Sequence, residues 1–424
     1  MKLFAALVVA SAAATKQSVT TLSSDERTAL RAELAKWRQE FGAKAAARGL
    51  LPRAAKNLNP LEAELDALQR FHDNKLAIEQ ARRNNPQATF DYNHPFALLT
   101  KDEFKRLVVG RSFQQGVNAV ESLPSVNIAP SGVQASSVDW STGPCVNPIR
   151  FQGYCGSCWA FSSVGTAESA HCIMTGQLLD LSEQQVVSCS TNGYNMGCNG
   201  GFEDAALDYI TAEGVCLESD YPYTSGDAND TGVCSNSCGK IKLQVGSTVR
   251  VNGEVDTIMA LNYQPVSVAV EAGNAEWMNY RSGIITQCPG AISDHAVIAV
   301  GYDPWSIKIR NSWGADWGEA GHIRLQRGGA GKGTCNVVEF VSFPNIGGVT
   351  PKPTPAPTTT TAKPKTTTPQ PKPTTTQTPA PRPVVCGSCT QCYYPAASQC
   401  LGAEYDKNSC DYYSSTYGTV WCGY

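Results

Sequence analysis

The run Gln152-Gly153-Tyr154-Cys155-Gly156-Ser157-Cys158-Trp159-Ala160 decides how the rest of this 424-residue chain is read. Two distant segments complete it: Ser293-Asp294-His295-Ala296-Val297 and Arg310-Asn311-Ser312-Trp313-Gly314. A thiol, an imidazole and a carboxamide are the parts of a cysteine nucleophile, its base and the group that orients the base. A free thiol is mostly protonated at neutral pH, so Cys158 needs a cationic neighbour and a helix N-terminus to become a thiolate. His295 can supply the cation. Residues 157–174 read as an amphipathic helix that opens at the nucleophile. Asn311 would hold the imidazole in one orientation, while the Gln152 amide and the Cys158 backbone N–H would bind the oxyanion of a tetrahedral intermediate. Taken singly, each residue has a plainer reading. A lone cysteine in an oxidising compartment is more often half of a disulfide, and a lone histidine is more often structural. Their conjunction carries the chemistry.

His295 and Asn311 follow Cys158 by 137 and 153 residues, and Cys-Gly-Ser-Cys-Trp surrounds the nucleophile. In these three motifs, in their order and their spacing, residues 138–344 resemble the papain-like (cathepsin-type) cysteine proteases. The resemblance implies an α+β, papain-like two-lobed fold, with a helical left lobe, a β-barrel-like right lobe and the cleft between them. It implies an endopeptidase that acts on protein and peptide substrates through Gln152, Cys158, His295 and Asn311, with no cofactor and no metal. Trp313 would shield the Asn–His hydrogen bond from water. Gly200 and Gly201 would leave backbone free to pair with an extended peptide. Phe202, Glu203, Ala269, Ala296 and Phe340 would surround the second side chain before the scissile bond, and Asp294 and Trp313 complete the substrate-binding set. Phe340 at the pocket base would favour Val or Leu over Phe, and Glu203, at a commonly apolar position, would make a basic side chain tolerable. Two rival classes remain: a catalytically dead binding protein, and a transglutaminase-like acyltransferase that shares the thiol–imidazole logic. The Gln152 group, the glycine pair and the N-terminal region described next are all protease-like.

No cysteine precedes Cys145; eleven lie between Cys145 and Cys335, and six between Cys386 and Cys422. The odd first group leaves one thiol over, which suits a nucleophile. The family resemblance implies the pairs Cys155–Cys198, Cys189–Cys234 and Cys288–Cys335. Some of its protozoan members carry an extra disulfide there, which favours Cys216–Cys238 and leaves Cys145 and Cys172 to pair by elimination. Such cysteine use fits an oxidising compartment. Lys2 followed by the apolar run 3–10 and small residues reads as a signal peptide over 1–14. The expectation is secretion, with lysosome or vacuole as the alternative.

Residues 15–126 lack cysteine and are rich in helix formers. Asn59-Pro60 opens a helical pattern over 61–83, with Leu61, Leu65, Leu68, Phe71 and Ile78 on one stripe and Asn85-Pro86 as its stop. Phe71, Asn74 and Ile78 stand at the spacing of the propeptide signature of papain-like zymogens. Ala67 and Arg82 depart from it, standing where arginine and asparagine are usual. The resemblance makes this region an inhibitory propeptide, the chain's own inhibitor, with processing between 116 and 137. Acid would loosen it by protonating carboxylates such as Glu62, Glu64 and Asp66. The peptidase domain is expected over 127–345, with strands at 266–270, 296–300 and 306–309.

Residues 346–383 are a Thr/Pro-rich linker, extended and of the composition of O-glycosylated stalks. Residues 384–424 form a Cys-rich module. No histidine accompanies its cysteines, so three disulfides are expected rather than zinc. Its aromatics, among them Tyr393, Tyr394, Tyr405, Tyr412, Tyr413, Tyr417, Trp421 and Tyr424, suit the flat faces of sugar rings. The expected partner is an insoluble polysaccharide; packing of these rings on the disulfides is the alternative. A net charge of −3 gives no argument for nucleic acid or a membrane surface, and the chain is expected to be a monomer.

Overall fold

The computed structural model describes residues 18–52, 58–108, 125–128, 134–191, 194–347, 351–352, 389–394, 399–400, 410 and 420–422. The expected signal peptide, most of the linker and much of the expected processing region lie outside the described residues. The chain divides into two units, residues 1–356 and 357–424.

The N-terminal region begins with α1, Ser24–Trp37, closed by a capping box in which Ser23 and Glu26 satisfy each other's backbone N–H. A π-helical turn, Arg38–Gly42, leads into α2, Ala43–Ala47. The long helix α3 runs Pro60–Asn84. It starts where Asn59-Pro60 predicts, because Asn59 and Glu62 form a second capping box and proline needs no N–H partner in the first turn. Its buried stripe is Leu68, Phe71, Asn74, Ile78 and Ala81. Leu61 falls off the expected stripe and is 70 % exposed: the buried face of α3 begins only at Ala67. Asn74 is tolerated on that face because its amide donates to the Ala97 carbonyl at 3.2 Å. Strand β1, Ala88–Phe90, follows, and then α4, Lys101–Val108.

The main sheet has nine strands. Strand β2, Asn127–Ile128, lies outside it and pairs with Pro351–Lys352; besides β1 the sheet contains β3, Val138–Asp139; β4, Thr248–Val251; β5, Val266–Val270; β6, Tyr280–Ile285; β7, His295–Tyr302; β8, Ser306–Arg310; β9, His322–Gln326; and β10, Val341–Pro344. Its order is β1-β6-β9-β8-β7-β5-β10-β4, with β3 beside β7. All pairs are antiparallel except β6–β9. Both β5 and β7 are buried along their whole length, which explains why they read as nearly continuous apolar runs. The register sets Val270 opposite His295 and Ala269 opposite Ala296.

The central helix of the other lobe is α5, Cys158–Thr175. It is not amphipathic as the sequence suggested. Every residue from Cys158 to Cys172 is buried, because α5 packs against β5, β7 and β10 on one side and α7, Glu203–Glu213, on another. Gly165 permits the close approach: a Cβ there would lie 2.6 Å from Ile298 and 2.7 Å from the Arg310 guanidinium. The helix stops at Gly176, whose φ is 76°. Between α5 and α7 lies α6, Glu183–Cys189.

The N-terminal region lies on the sheet lobe. Its β1 extends the sheet by pairing with β6. The Asn85 carboxamide oxygen accepts from the backbone N–H groups of Thr286 and Gln287, at 2.8 and 3.0 Å, and from the Thr286 hydroxyl at 3.1 Å. Lys44 and Arg48 both bind Asp316, at 2.8 and 3.1 Å. The rings of Phe96 and Phe104 meet Trp313 edge to face. The acidic residues expected to hold this region down do not reach across. Glu62 caps its own helix, Glu64 pairs with Arg38, and Asp66 pairs with Arg70.

In the C-terminal unit, Cys392–Tyr394 pairs antiparallel with Gln399–Cys400 and with Val420–Trp421. Disulfides join Cys389 to Cys400 and Cys392 to Cys410.

Candidate active site

Cys158 is the first residue of α5 and is 2 % exposed. Among the described residues it is the one cysteine outside a disulfide, the other ten of its group being joined as Cys145–Cys172, Cys155–Cys198, Cys189–Cys234, Cys216–Cys238 and Cys288–Cys335. These are the five pairs that the sequence led us to expect. Ser157, the residue before the helix, makes no capping bond to it. Its hydroxyl instead lies 2.7 Å from that of Tyr223, which donates to the Gln152 carbonyl at 2.7 Å. The first N–H groups of α5 have no carbonyl partner inside the helix, so the uncapped end is suited to an anion.

Gln152 is buried and fixed at three points. Its backbone N–H donates to Ser312, its side-chain nitrogen donates to the Cys155 carbonyl at 3.1 Å, and its side-chain oxygen accepts from the Ser312 hydroxyl at 2.6 Å. A carboxamide nitrogen has two hydrogens, so one remains to donate into the cleft.

His295 heads β7, next to the end of β5. Its Nε2 lies 2.8 Å from Asn311 Oδ1, which also accepts from the Ser312 backbone N–H at 2.8 Å. That second bond identifies the Asn311 atom as oxygen, so His295 Nε2 carries the hydrogen and Nδ1 is the ring's basic nitrogen. The Trp313 ring stacks on the imidazole, with centroids 4.9 Å apart and planes at 25°, and Trp277 meets it edge-on at 6.3 Å. These rings keep water from the His–Asn bond. Trp277, Ser312 and Tyr223 escaped the sequence reading. Ser312, inside Arg310-Asn311-Ser312-Trp313, could have been found there; the other two carry no local signal.

Burial opposes the expected thiolate in this form. Burial pushes the Cys158 thiol up to about 12; backbone hydrogen bonds at Ala296 and Trp159 oppose the shift, and the charges of Glu203 and Asp294 add to it. A helix N-terminus stabilises an anion by up to ~2 kcal/mol, less than the several kcal/mol needed to desolvate a buried charge.

A cavity of about 190 Å³ is lined by Phe202, Glu203, Ala269 and Phe340, together with Arg250 and Ser125. Ala296 is not on it. Opposite Ala269 in the register, it packs instead into the core with Cys158 and Trp159. Gly201 lies against the Trp159 indole, where a Cβ would come within 2.7 Å, and Gly200 has φ 113°. The Asp294 carboxylate accepts from the backbone N–H groups of Ala272 and Gly273, at 2.8 and 3.0 Å, and faces Lys105 of α4 at 4.0 Å. Its side chain therefore anchors a loop. Among the described residues no cluster of His, Cys, Asp and Glu could hold a metal ion, and no helix is long and apolar enough to cross a membrane.

The family described as papain family cysteine protease matches residues 134–345. The oryzain beta chain of Oryza sativa subsp. japonica is 38 % identical over 273 residues, spanning 60 % of this chain and 56 % of that one. The probable cysteine protease RD21C of Arabidopsis thaliana is 33 % identical over 378 residues, 85 % of this chain and 76 % of that one. Among solved structures, the ragweed pollen cysteine protease Amb a 11 in its proform superposes with a TM-score of 0.64 at 27 % identity, covering 76 % of this chain and 96 % of that one. A recombinant stem bromelain precursor gives 0.61 at 30 % identity, covering 74 % and 98 %.

Proposed function

The chain belongs to the papain family of cysteine proteases, and from that premise we propose that it is a secreted endopeptidase, made as a zymogen, whose nucleophile is Cys158. The observation that carries the assignment is the 2.8 Å bond from His295 Nε2 to Asn311 Oδ1. It leaves Nδ1 to take the Cys158 proton. The sulfur then attacks the scissile carbonyl, and the Cys158 backbone N–H and the Gln152 amide hold the oxyanion. Collapse expels the amine, which takes the proton from His295. Water, deprotonated by the same imidazole, then attacks the thioester and frees the acid and the thiol.

Residues 15–126 are the inhibitory propeptide, 127–345 the peptidase domain, 346–383 the linker and 384–424 a module that binds an insoluble polysaccharide. The enzyme acts as a monomer on protein and peptide substrates. Phe340 shortens the pocket for the second side chain before the scissile bond and favours Val or Leu over Phe. The raised Cys158 thiol fits a latent form: maturation admits water to the sulfur and lowers the cost of its charge. Cys158→Ser in the matured enzyme should cut peptidase turnover by at least ~10³, because the hydroxyl is far less acidic than the thiol and the ion pair with His295 is lost. Retention of most activity would overturn the assignment.

A further inference from the structure

Glu203 opens α7 and is 4 % exposed, a burial unusual for a carboxylate in no ion pair. Its Oε2 has no hydrogen-bond partner. The charged groups around it are already committed. Arg250 donates to Asp204 at 2.7 Å and to Asp208 at 2.8 Å, and the Glu339 carboxylate is held by Lys332 and by the Ser293 hydroxyl. The cavity that Glu203 lines, about 190 Å³, has room for the equivalent of roughly six waters at ~30 Å³ each. Phe202, Ala269 and Phe340 pack together as its apolar side, and Asp204, Asn252, Glu339 and Ser342 share the rest of its lining with Arg250. In the latent form Ser125 stands at its edge, and the next residue, Val126, donates its N–H to the Arg250 carbonyl at 2.9 Å. An apolar side wall beside one buried carboxylate with an unsatisfied oxygen, among charged groups already committed to each other, matches a side chain with an aliphatic stem and a cationic end.

We propose that Glu203 selects for lysine or arginine at the second position before the scissile bond, its unpartnered oxygen receiving the ammonium or guanidinium. The proposal rests on the peptidase reading above and specifies its substrate. The selection depends on pH. Burial pushes the Glu203 carboxyl up to about 8, and neighbouring Asp204 adds to this. Below that value the carboxyl is neutral and offers a cation little return for its lost hydration, so an aliphatic side chain is preferred. Above it the carboxylate forms a charge-assisted pair. Cys158 also feels the charge of Glu203, and Asp294 and His295 lie near the sulfur, but their ionisations act on every substrate alike.

The test is the ratio of kcat/KM for two peptides that differ only in Arg or Leu at that position, measured on the matured full-length enzyme from pH 5 to 8.5. The ratio cancels ionisations common to both substrates as well as the active fraction. In the wild type it should rise with pH by about tenfold or more, the gain from one charge-assisted hydrogen bond made to one substrate only. In Glu203→Gln it should be low and flat. A flat wild-type ratio overturns the proposal whether or not the variant folds, as does an equal rise in Glu203→Gln. Cleavage of neither peptide at any pH contradicts the peptidase reading itself, and this proposal with it.

Discussion

At the residue scale, the carboxamide of Gln152 works at both ends: its oxygen is pinned by Ser312 and its nitrogen by the Cys155 carbonyl. The donor left over is held in place before substrate arrives, the condition under which an oxyanion donor is most effective. Gln152→Ala should therefore lower kcat by ~10² to 10³ while the protein still folds, with a loss of thermal stability from the Ser312 and Cys155 groups left unpaired. A wild-type rate in that variant places the oxyanion hole elsewhere. The four candidate catalytic residues could be read from the sequence because their chemistry is specific and each sits in a short motif. The groups that position them could not. Trp277 reaches His295 only through the folded sheet lobe, and Tyr223 joins Ser157 to Gln152 across more than sixty residues of chain. Nor did the motif around Cys158 disclose the burial that opposes its ionisation.

At the scale of elements, the N-terminal region is held by a strand, a side-chain cap and a few ion pairs. Asn85 satisfies three donors of the peptidase domain with one oxygen. In Asn85→Ala those part-buried donors lose that acceptor when the propeptide docks, a net loss of ~0.5–1.5 kcal/mol for each bond. The isolated propeptide carrying this change should inhibit the mature enzyme at least ~tenfold more weakly; unchanged inhibition would show that β1 and the ring contacts suffice. The pH response belongs to Asp316. Lys44, joined by Arg48, holds its carboxyl below the ordinary value of 3.8. A depressed acid contributes stability above its ordinary value and loses it as pH falls through the depressed one. Acid should thus weaken this tie only at the low end of the carboxylate range, and Asp316→Asn should move autocatalytic maturation to higher pH. Caps and proline gave away the ends of α3 in the sequence. Its partner surface is set by tertiary contact, so Leu61 was wrongly placed on the buried stripe.

At the scale of the whole molecule, the peptidase unit closes its own sheet and its own disulfides, and the C-terminal unit has a separate three-stranded sheet with its own disulfides. Ending the chain after Gly347 should leave kcat/KM on soluble peptides within about twofold, while retention on cellulose, chitin or β-glucan is lost. If full-length enzyme stays in the supernatant with all three, the module has another partner. The central claim is that one thiol, masked in the zymogen and exposed by maturation, performs the chemistry. The direct measurement is labelling with a thiol-directed epoxide before and after acid maturation, with peptide mapping by mass spectrometry. The account predicts little adduct on the zymogen, then one adduct per matured molecule, on Cys158, accumulating in step with the loss of peptidase activity. An adduct on any other residue, or Cys158 found in a disulfide of the active enzyme, would contradict it.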